Sequence, residues 1–163
     1  MYICAIGQDS HAFESSLTTK PLILGGIVIP GHAGLDGNSD ADVVLHAITN
    51  AISGLTGINI LGKVSDDLCL KQGIKDSRVY LARALGMLND YKINHLSVSV
   101  EARRPHLAEH IPAIRNSLAS LLSLPVEHVG FTATSGEGLT AFGKGEGIAA
   151  MAIISAQRNR KTE

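Results

Sequence analysis

Two short stretches of this chain carry residues whose types and spacing could do chemistry. QDSHAF (8–13) puts Asp9 and His11 two positions apart, and NSDADVVLHA (38–47) carries Ser39, Asp40, Asp42 and His46 on an otherwise apolar pattern. Residues two apart on a strand point to the same side. One carboxylate and two imidazoles make a good donor set for Zn²⁺ or another divalent transition metal, and three protein ligands leave the fourth tetrahedral position open. An open position is what a catalytic metal needs. Asp-x-His alone is common; followed downstream by Ser-Asp-x-Asp-x-x-x-His it is far more specific.

A helix histidine taken alone is more often structural than ligating. The stripe around His46 argues otherwise. Asp42, His46, Thr49, Asn50 and Ser53 fall at i, i+4, i+7, i+8 and i+11, with no charge after Asp42. A solvated face would carry Lys or Glu, so this stripe is expected to line a cleft or another element. Ser39 and Asp42 have capping-box spacing, with Asp at the third position in place of Glu, so the helix is expected to begin at Ser39. A second chemical stretch is TATSGEG (132–138). Its hydroxyls and glycine N–H groups could hold phosphate oxygens, and Glu137 could hold a hard cation such as Mg²⁺ against them. GKGEG (143–147) is neither a Walker A nor a GxGxxG fingerprint.

These residues must be positioned by ordinary elements. YICAIGQDSHAF (2–13) reads as a strand, LILGGIVIP (22–30) as a hairpin or bulged strand, and 31–38 as a loop. Val44, Ile48, Ala51, Ile52 and Leu55 form one apolar stripe, which predicts a helix over 39–55. A loop rich in Gly and Asp is expected to about residue 75, then a helix over 76–91 capped by Asp76. HLSVSVEAR (95–103) alternates strictly and predicts a half-buried strand; a third helix spans 111–122; strands follow at 127–134 and 147–155. The last strand is apolar on both faces, so both must be covered, one of them by another subunit. The order predicts an α+β fold: a mixed four-stranded sheet with helices on one face.

Composition narrows the function classes. The 163 residues suit one domain, and 45 % hydrophobic content suits a globular chain. Lys and Arg number 14 against 15 Asp and Glu, so charge gives no reason for a nucleic-acid partner. The basic stretch QRNRKTE (157–163) reads as a solvated tail. Aromatics at 4 % without Trp leave no platform for base stacking. No apolar run nears the roughly 18 residues of a membrane span, and MYICAIG lacks the charged and long apolar regions of a secretory leader. Cys4 and Cys69 read as reduced thiols, which makes the cytoplasm the expected compartment.

DSHAF, LILGGIVIP, SDADVVLHA, EARRPHLAEHIP and GKGEGIA, taken in this order and at this spacing, make the chain resemble the 2-C-methyl-D-erythritol 2,4-cyclodiphosphate synthases over nearly its whole length. The resemblance implies a homotrimer with active sites between subunits. The reaction it implies converts a cytidine-diphospho-methylerythritol 2-phosphate to a cyclic diphosphate and releases CMP. It implies that Asp9, His11 and His46 hold Zn²⁺, and that Glu137 lies near a Mg²⁺ or Mn²⁺ bound with the substrate diphosphate. Substrate contacts are implied at Asp9, Ser10, His11, Asn38, Ser39 and Gly62. Further contacts are implied at Ala133, Thr134, Ser135, Glu137 and Lys144, with Ala102, Pro105, His106, Leu107 and Ala108 framing the cytidine. Asn38 and Ser135 are the implied catalytic donors. The chain departs from the family pattern at Asn38 (usually His), Ile60 (usually an acid that contacts substrate), the loop SDDLC (65–69), His106 (usually Lys) and Lys144 (usually Arg). Those departures keep a second expectation open: a trimeric metal-binding regulatory protein of the same fold that has lost turnover. A metal-dependent phosphohydrolase is a third.

Overall fold

The computed structural model describes residues 1–15 and 19–158; most of the expected basic tail lies outside them. The strands are β1 (Tyr2–Ala12), β2 (Pro21–Leu24), β3 (Ile27–Ala33), β4 (Tyr91–Glu101), β5 (Val129–Thr134) and β6 (Gly147–Arg158). The helices are α1 (Val43–Thr56), α2 (Lys63–Gln72), α3 (Ser77–Gly86) and α4 (Ile111–Leu122). Four strands form one mixed sheet in the order β1-β6-β4-β5. β6 is antiparallel to both β1 and β4, and β4 runs parallel to β5.

Alternation puts the helices on one face of this sheet. Leu96, Val98 and Val100 of β4 and Ile148, Ala150, Ala152 and Ile154 of β6 point into the core. There they meet Leu45, Ile48 and Ile52 of α1 and Ile114 and Leu118 of α4. α1 lies on β1 and β6, α4 lies on β5, and α3 packs against both helices. The other face stays open, and it displays Tyr2, Ile6, Met151 and Ile153.

One glycine sets how close α1 comes. A Cβ on Gly7 would sit 2.2 Å from the Ala47 carbonyl oxygen and from the Ala51 nitrogen. Only glycine admits the helix backbone at that distance. That contact brings the first turns of α1 over the second half of β1.

β2 and β3 form a hairpin whose two turn residues, Gly25 and Gly26, have φ of 62° and 78°. A two-residue turn with positive φ at both positions suits the strand twist. The Asp42 carboxylate accepts from the Gly25 and Gly26 N–H groups at 2.9 and 2.6 Å, and from Val44 and Leu45 at 3.1 and 3.0 Å. One buried side chain thus caps α1 and pins the hairpin to it.

The structure differs from expectation in four places. α1 begins after Asp42, not at Ser39, because Ala41 adopts a left-handed φ of 54° that breaks a helix there; Ser39 Oγ instead accepts from the Ala41 N–H. Residues 63–72 form a helix where a loop was expected. Gly62 and Gly73 bound it, and its two most apolar inward positions, Leu68 and Cys69, are too few to set a helical period. α3 stops at Gly86, and β4 starts at Tyr91, four residues before the expected strand. β3 runs to Ala33, into the expected loop.

Asp42→Ala removes the α1 cap and leaves the Gly25 and Gly26 N–H groups without their acceptor. A lost cap costs about 1 kcal/mol and each unsatisfied buried donor about 1–3. Urea unfolding of this variant is expected to give a loss of about 3–7 kcal/mol. A midpoint equal to wild type at the same slope would refute the anchoring role.

Candidate metal centre and binding cleft

β1 supplies Asp9 and His11 to its helix-covered side, and α1 supplies His46 from above. Asp9 Oδ2 lies 3.0 Å from His11 Nε2 and 2.9 Å from His46 Nδ1, and the two histidine nitrogens are 3.4 Å apart. A tetrahedron with bonds of about 2.0–2.1 Å has edges of about 3.3 Å. The three separations therefore fit three ligands around one Zn²⁺-sized ion. Asp9, His11 and His46 are a donor set able to hold a divalent metal.

The set opens into a cleft of about 310 Å³. Asn38, Ser39 and Gly62 line this cleft beside the metal set, as do Asn50, Ser65, Asp66, Cys69 and Tyr80. The stripe on α1 splits as its surroundings demand. Asn50 Nδ2 donates to the Gln8 carbonyl on β1, Ser53 Oγ accepts from the Ile60 N–H, and Thr49 Oγ1 donates to the Leu45 carbonyl. Ile60 is buried at 3 % exposure, so its side chain belongs to the core, and the cleft wall there is Leu61 and Gly62.

A second cavity, about 170 Å³, lies where β4 and β5 end. Ala102, Pro105, His106, Leu107 and Ala108 line it together with Ala133, Thr134 and Ser135. Ser135 Oγ donates to Glu137 Oε1 at 2.9 Å, and Glu137 holds a left-handed φ of 50°. Glu137 and Lys144 sit outside both linings. Ser10 points to the open face of the sheet, away from Asp9 and His11, and lines a third cavity of about 500 Å³ with Gln8, Ser99, Glu101, Thr134 and Met151.

Pairing registers relate these sites. Asp9 pairs with Ala150, Ala150 with Val100, and Val100 with Ala133. The metal set and the TATS turn therefore stand at the same level of the sheet, on opposite edge strands, roughly 14 Å apart at about 4.8 Å per strand.

Sequence reasoning missed Cys69 and Tyr80 as cleft walls. Cys69 sits on α2, and its thiol donates to the Asn38 carbonyl at 3.0 Å. No local pattern marks such a contact; only the unforeseen helix makes it.

Electrostatics follow from the shared carboxylate. Burial alone would raise the Asp9 pKa, but hydrogen bonds from His11 and His46 and their charges outweigh it and hold the carboxyl well below the usual carboxylate range. The Asp9 hydrogen bond raises His11 against the opposing effect of burial.

A sheet edge and covering helix that converge one carboxylate and two imidazoles on an open cleft give the chain the donor set of a metal-dependent enzyme. The model of the YgbB family matches residues 2–157. The chain belongs to the YgbB family. It is 44 % identical over 156 residues to the 2-C-methyl-D-erythritol 2,4-cyclodiphosphate synthase of Chlamydia caviae, covering 95 % of this chain and 89 % of that one. The synthase of Chlamydia muridarum is likewise 44 % identical over 156 residues, with 95 % and 88 % covered. A solved 2C-methyl-D-erythritol-2,4-cyclodiphosphate synthase in its CDP-bound form superposes with a TM-score of 0.84 at 29 % identity, covering 95 % of this chain and all of that one. The bifunctional IspDF of Campylobacter jejuni gives 0.87 at 27 % identity, over 97 % of this chain and 42 % of its own.

The two shifts set opposite pH limits on the metal-free fold. Asp9, with a lowered pKa, contributes stability above the ordinary carboxylate value, and that contribution is lost as pH falls through its folded pKa. His11, with a raised pKa, contributes below 6.5, and that contribution is lost as pH rises through its folded pKa. Metal binding must expel this proton. Affinity for Zn²⁺ or Co²⁺ is therefore expected to rise from pH 6 to pH 8, with proton release visible by calorimetry in two buffers of different ionisation enthalpy. An affinity independent of pH across that range would remove His11 from the ligand set.

Proposed function

We propose that this chain converts 4-diphosphocytidyl-2-C-methyl-D-erythritol 2-phosphate to 2-C-methyl-D-erythritol 2,4-cyclodiphosphate and releases CMP, a step of non-mevalonate isoprenoid precursor synthesis. One observation carries the reading: a metal-ready Asp9–His11–His46 set opens into a cleft that also holds Asn38 and Ser39, in a chain 44 % identical to named synthases along 95 % of its length. Residues 1–163 act as one domain in this reading. The cytoplasm is its compartment, in keeping with two free cysteines among the described residues. No helix among the described residues is long and apolar enough to cross a membrane.

Zn²⁺ at Asp9, His11 and His46, with Mg²⁺ or Mn²⁺ on the substrate diphosphate near Glu137, would neutralise phosphate charge and polarise the phosphorus centre. The chain's own groups bind and orient. The substrate's 2-phosphate oxygen forms a bond to the β-phosphorus, the bond from that phosphorus to the CMP oxygen breaks, and CMP leaves with the electron pair. A phosphate nucleophile needs no strong base, so the protein's work is to bend the substrate and hold two anions together. Asn38 donates its amide N–H to developing negative charge, and Ser135 donates its hydroxyl to the transferring group. Ser39 and Gly62 bound the sugar, and Ser10 contributes through its backbone. Ala102 to Ala108 frame the cytosine, also largely through backbone groups, with Ala133 and Thr134 beneath and Lys144 beside the phosphates.

The quaternary part of the proposal is a homotrimer. The open face of the sheet carries Ile6 at 58 %, Met151 at 43 % and Ile153 at 44 % exposure, on the paired strands β1 and β6. Contiguous apolar surface of this kind marks an interface. The metal cleft and the cytidine cavity lie at opposite edges of the sheet, which suits sites completed between neighbours. Sedimentation at micromolar concentration is expected to give a trimer, and Ile153→Glu a smaller species. A wild-type monomer would sink this part.

Turnover has its own test. Incubation with the cytidine-diphospho substrate and both metals is expected to yield the cyclic diphosphate and CMP. Linear phosphate products would mean a hydrolase. No change would favour a metal-binding regulatory protein, the reading that the buried Ile60 supports. Asn38→Ala is expected to cost on the order of 2.7–4 kcal/mol in barrier, the size of a deleted oxyanion donor. Asn38→His should stay within about tenfold of wild type.

A further inference from the structure

His46 has two ring nitrogens, and only one faces the metal set. Its Nδ1 points to Asp9 and His11, while its Nε2 lies 2.9 Å from Ser77 Oγ on the first turn of α3. Ser77 Oγ in turn makes a short hydrogen bond to Asp40 Oδ1, and the Ser77 backbone N–H donates to Asp40 Oδ2 at 3.0 Å. Ser77 is fully buried and His46 is 7 % exposed, so the contact between them is shielded from water, while Asp40 is half-buried.

The direction of this chain is determined by counting hydrogens. The Asp40 carboxylate accepts at Oδ1 from the Asp42 N–H, 3.2 Å away, and at Oδ2 from the Ser77 N–H. A carboxylate has no hydrogen to give, so the single Ser77 hydroxyl hydrogen goes to Asp40. Toward His46 the hydroxyl can then only accept. Nε2 must carry a hydrogen toward Ser77, which leaves Nδ1, 2.9 Å from Asp9 Oδ2, as the ring nitrogen available to a metal. The Ser77 hydroxyl has no capping duty to explain it, because Asp76 caps α3 through the Arg78 N–H.

We infer that Asp40 and Ser77 are positioning residues that fix His46 in its Nδ1-ligating tautomer and ring orientation. This rests on the metal-centre reading of the proposed function. Asp40 accepts its other constraint from the chain around it: its own N–H donates to the Lys75 carbonyl at 2.8 Å. It lies two residues beyond Asn38, so the relay ties the metal set, the start of α3 and the Asn38–Ser39 wall of the cleft into one unit. Partners of this kind set ligand basicity and orientation, and their loss costs about 10–100-fold in metal affinity.

The test uses full-length protein stripped of metal and titrated with Co²⁺ and Zn²⁺ against a competing chelator. Ser77→Ala is expected to raise the Kd about 10–100-fold. Asp40→Asn keeps the volume, and because an amide can accept at only one of the two positions, it is expected to raise the Kd by a smaller factor. Nitrogen-15 NMR of the zinc-loaded wild type should find His46 protonated at Nε2 in a hydrogen-bonded, slowly exchanging N–H, and that signal should broaden in Ser77→Ala. A merely structural Ser77 would lower the melting temperature and leave both the Kd and the wild-type Nε2–H signal in place. Wild-type Kd values in both variants, or a zinc-loaded His46 protonated at Nδ1, would overturn the inference. Should Ser77→Ala fail to fold, the tautomer in wild type and the Kd of Asp40→Asn still decide it. Failure of wild type to form cyclic diphosphate would count against the proposed reaction alone, since none of these readouts requires turnover.

Discussion

The close approach of α1 to β1 at Gly7 is the constraint from which the site follows. A side chain of any size there would push the helix away by the width of a methyl group or more, since the Ala47 carbonyl and the Ala51 nitrogen occupy the space. The His46 ligand atom sits within about 3.4 Å of both strand donors, and a shift of even 1 Å would open those edges beyond what one tetrahedral ion can span. The position that makes the packing tight also makes the donor set convergent. Asp42 holds the other end of the same arrangement by fastening the start of α1 to the Gly25–Gly26 turn.

Sharing one carboxylate between two imidazoles has an electrostatic consequence. Asp9 is partly buried and would resist ionisation by itself; two adjacent protonatable rings reverse that. A metal ion placed among the three would take over the role of those protons, so the site is organised before any ion arrives. Asp40 and Ser77 extend that organisation outward: a second carboxylate, reached through one hydroxyl, orients the far side of the His46 ring.

What could be read from sequence follows the range of the interaction. Asp9 and His11 were legible because strand alternation is local, and the buried face of α1 because fourteen residues give its period time to repeat. α4 was located to the residue for the same reason, with Pro112 in its first turn. α2 was not legible: ten residues between two glycines carry a weak amphipathic signal, and their helix depends on packing Leu68 and Cys69 against the cleft. The start of α1 was misread because capping-box spacing says nothing of the backbone between, where Ala41 turns left-handed. Ser77 could not be seen at all as a partner of His46, since 31 residues separate them and neither position carries a local mark of the other.

The sheet divides its labour by face and by edge. Its inner face is covered by helices and is fully apolar along β4 and β6, while its outer face mixes Ser97 and Ser99 with Ile6, Met151 and Ile153. The apolar patch of Ile6, Met151 and Ile153, on a sheet whose edges carry two separate cavities, is where the proposed contact between copies would lie. Such a meeting would cover the apolar centre and, by cyclic symmetry, bring the β1 edge of one copy near the β5 edge of the next. The cleft holding Asp9, His11 and His46 would then face a neighbour's Ala102–Ala108 cavity. In that arrangement a substrate with a cytidine at one end and a phosphorylated sugar at the other can be held bent between two subunits. The same contact that buries Ile153 would then also set the distance over which the two phosphates must meet.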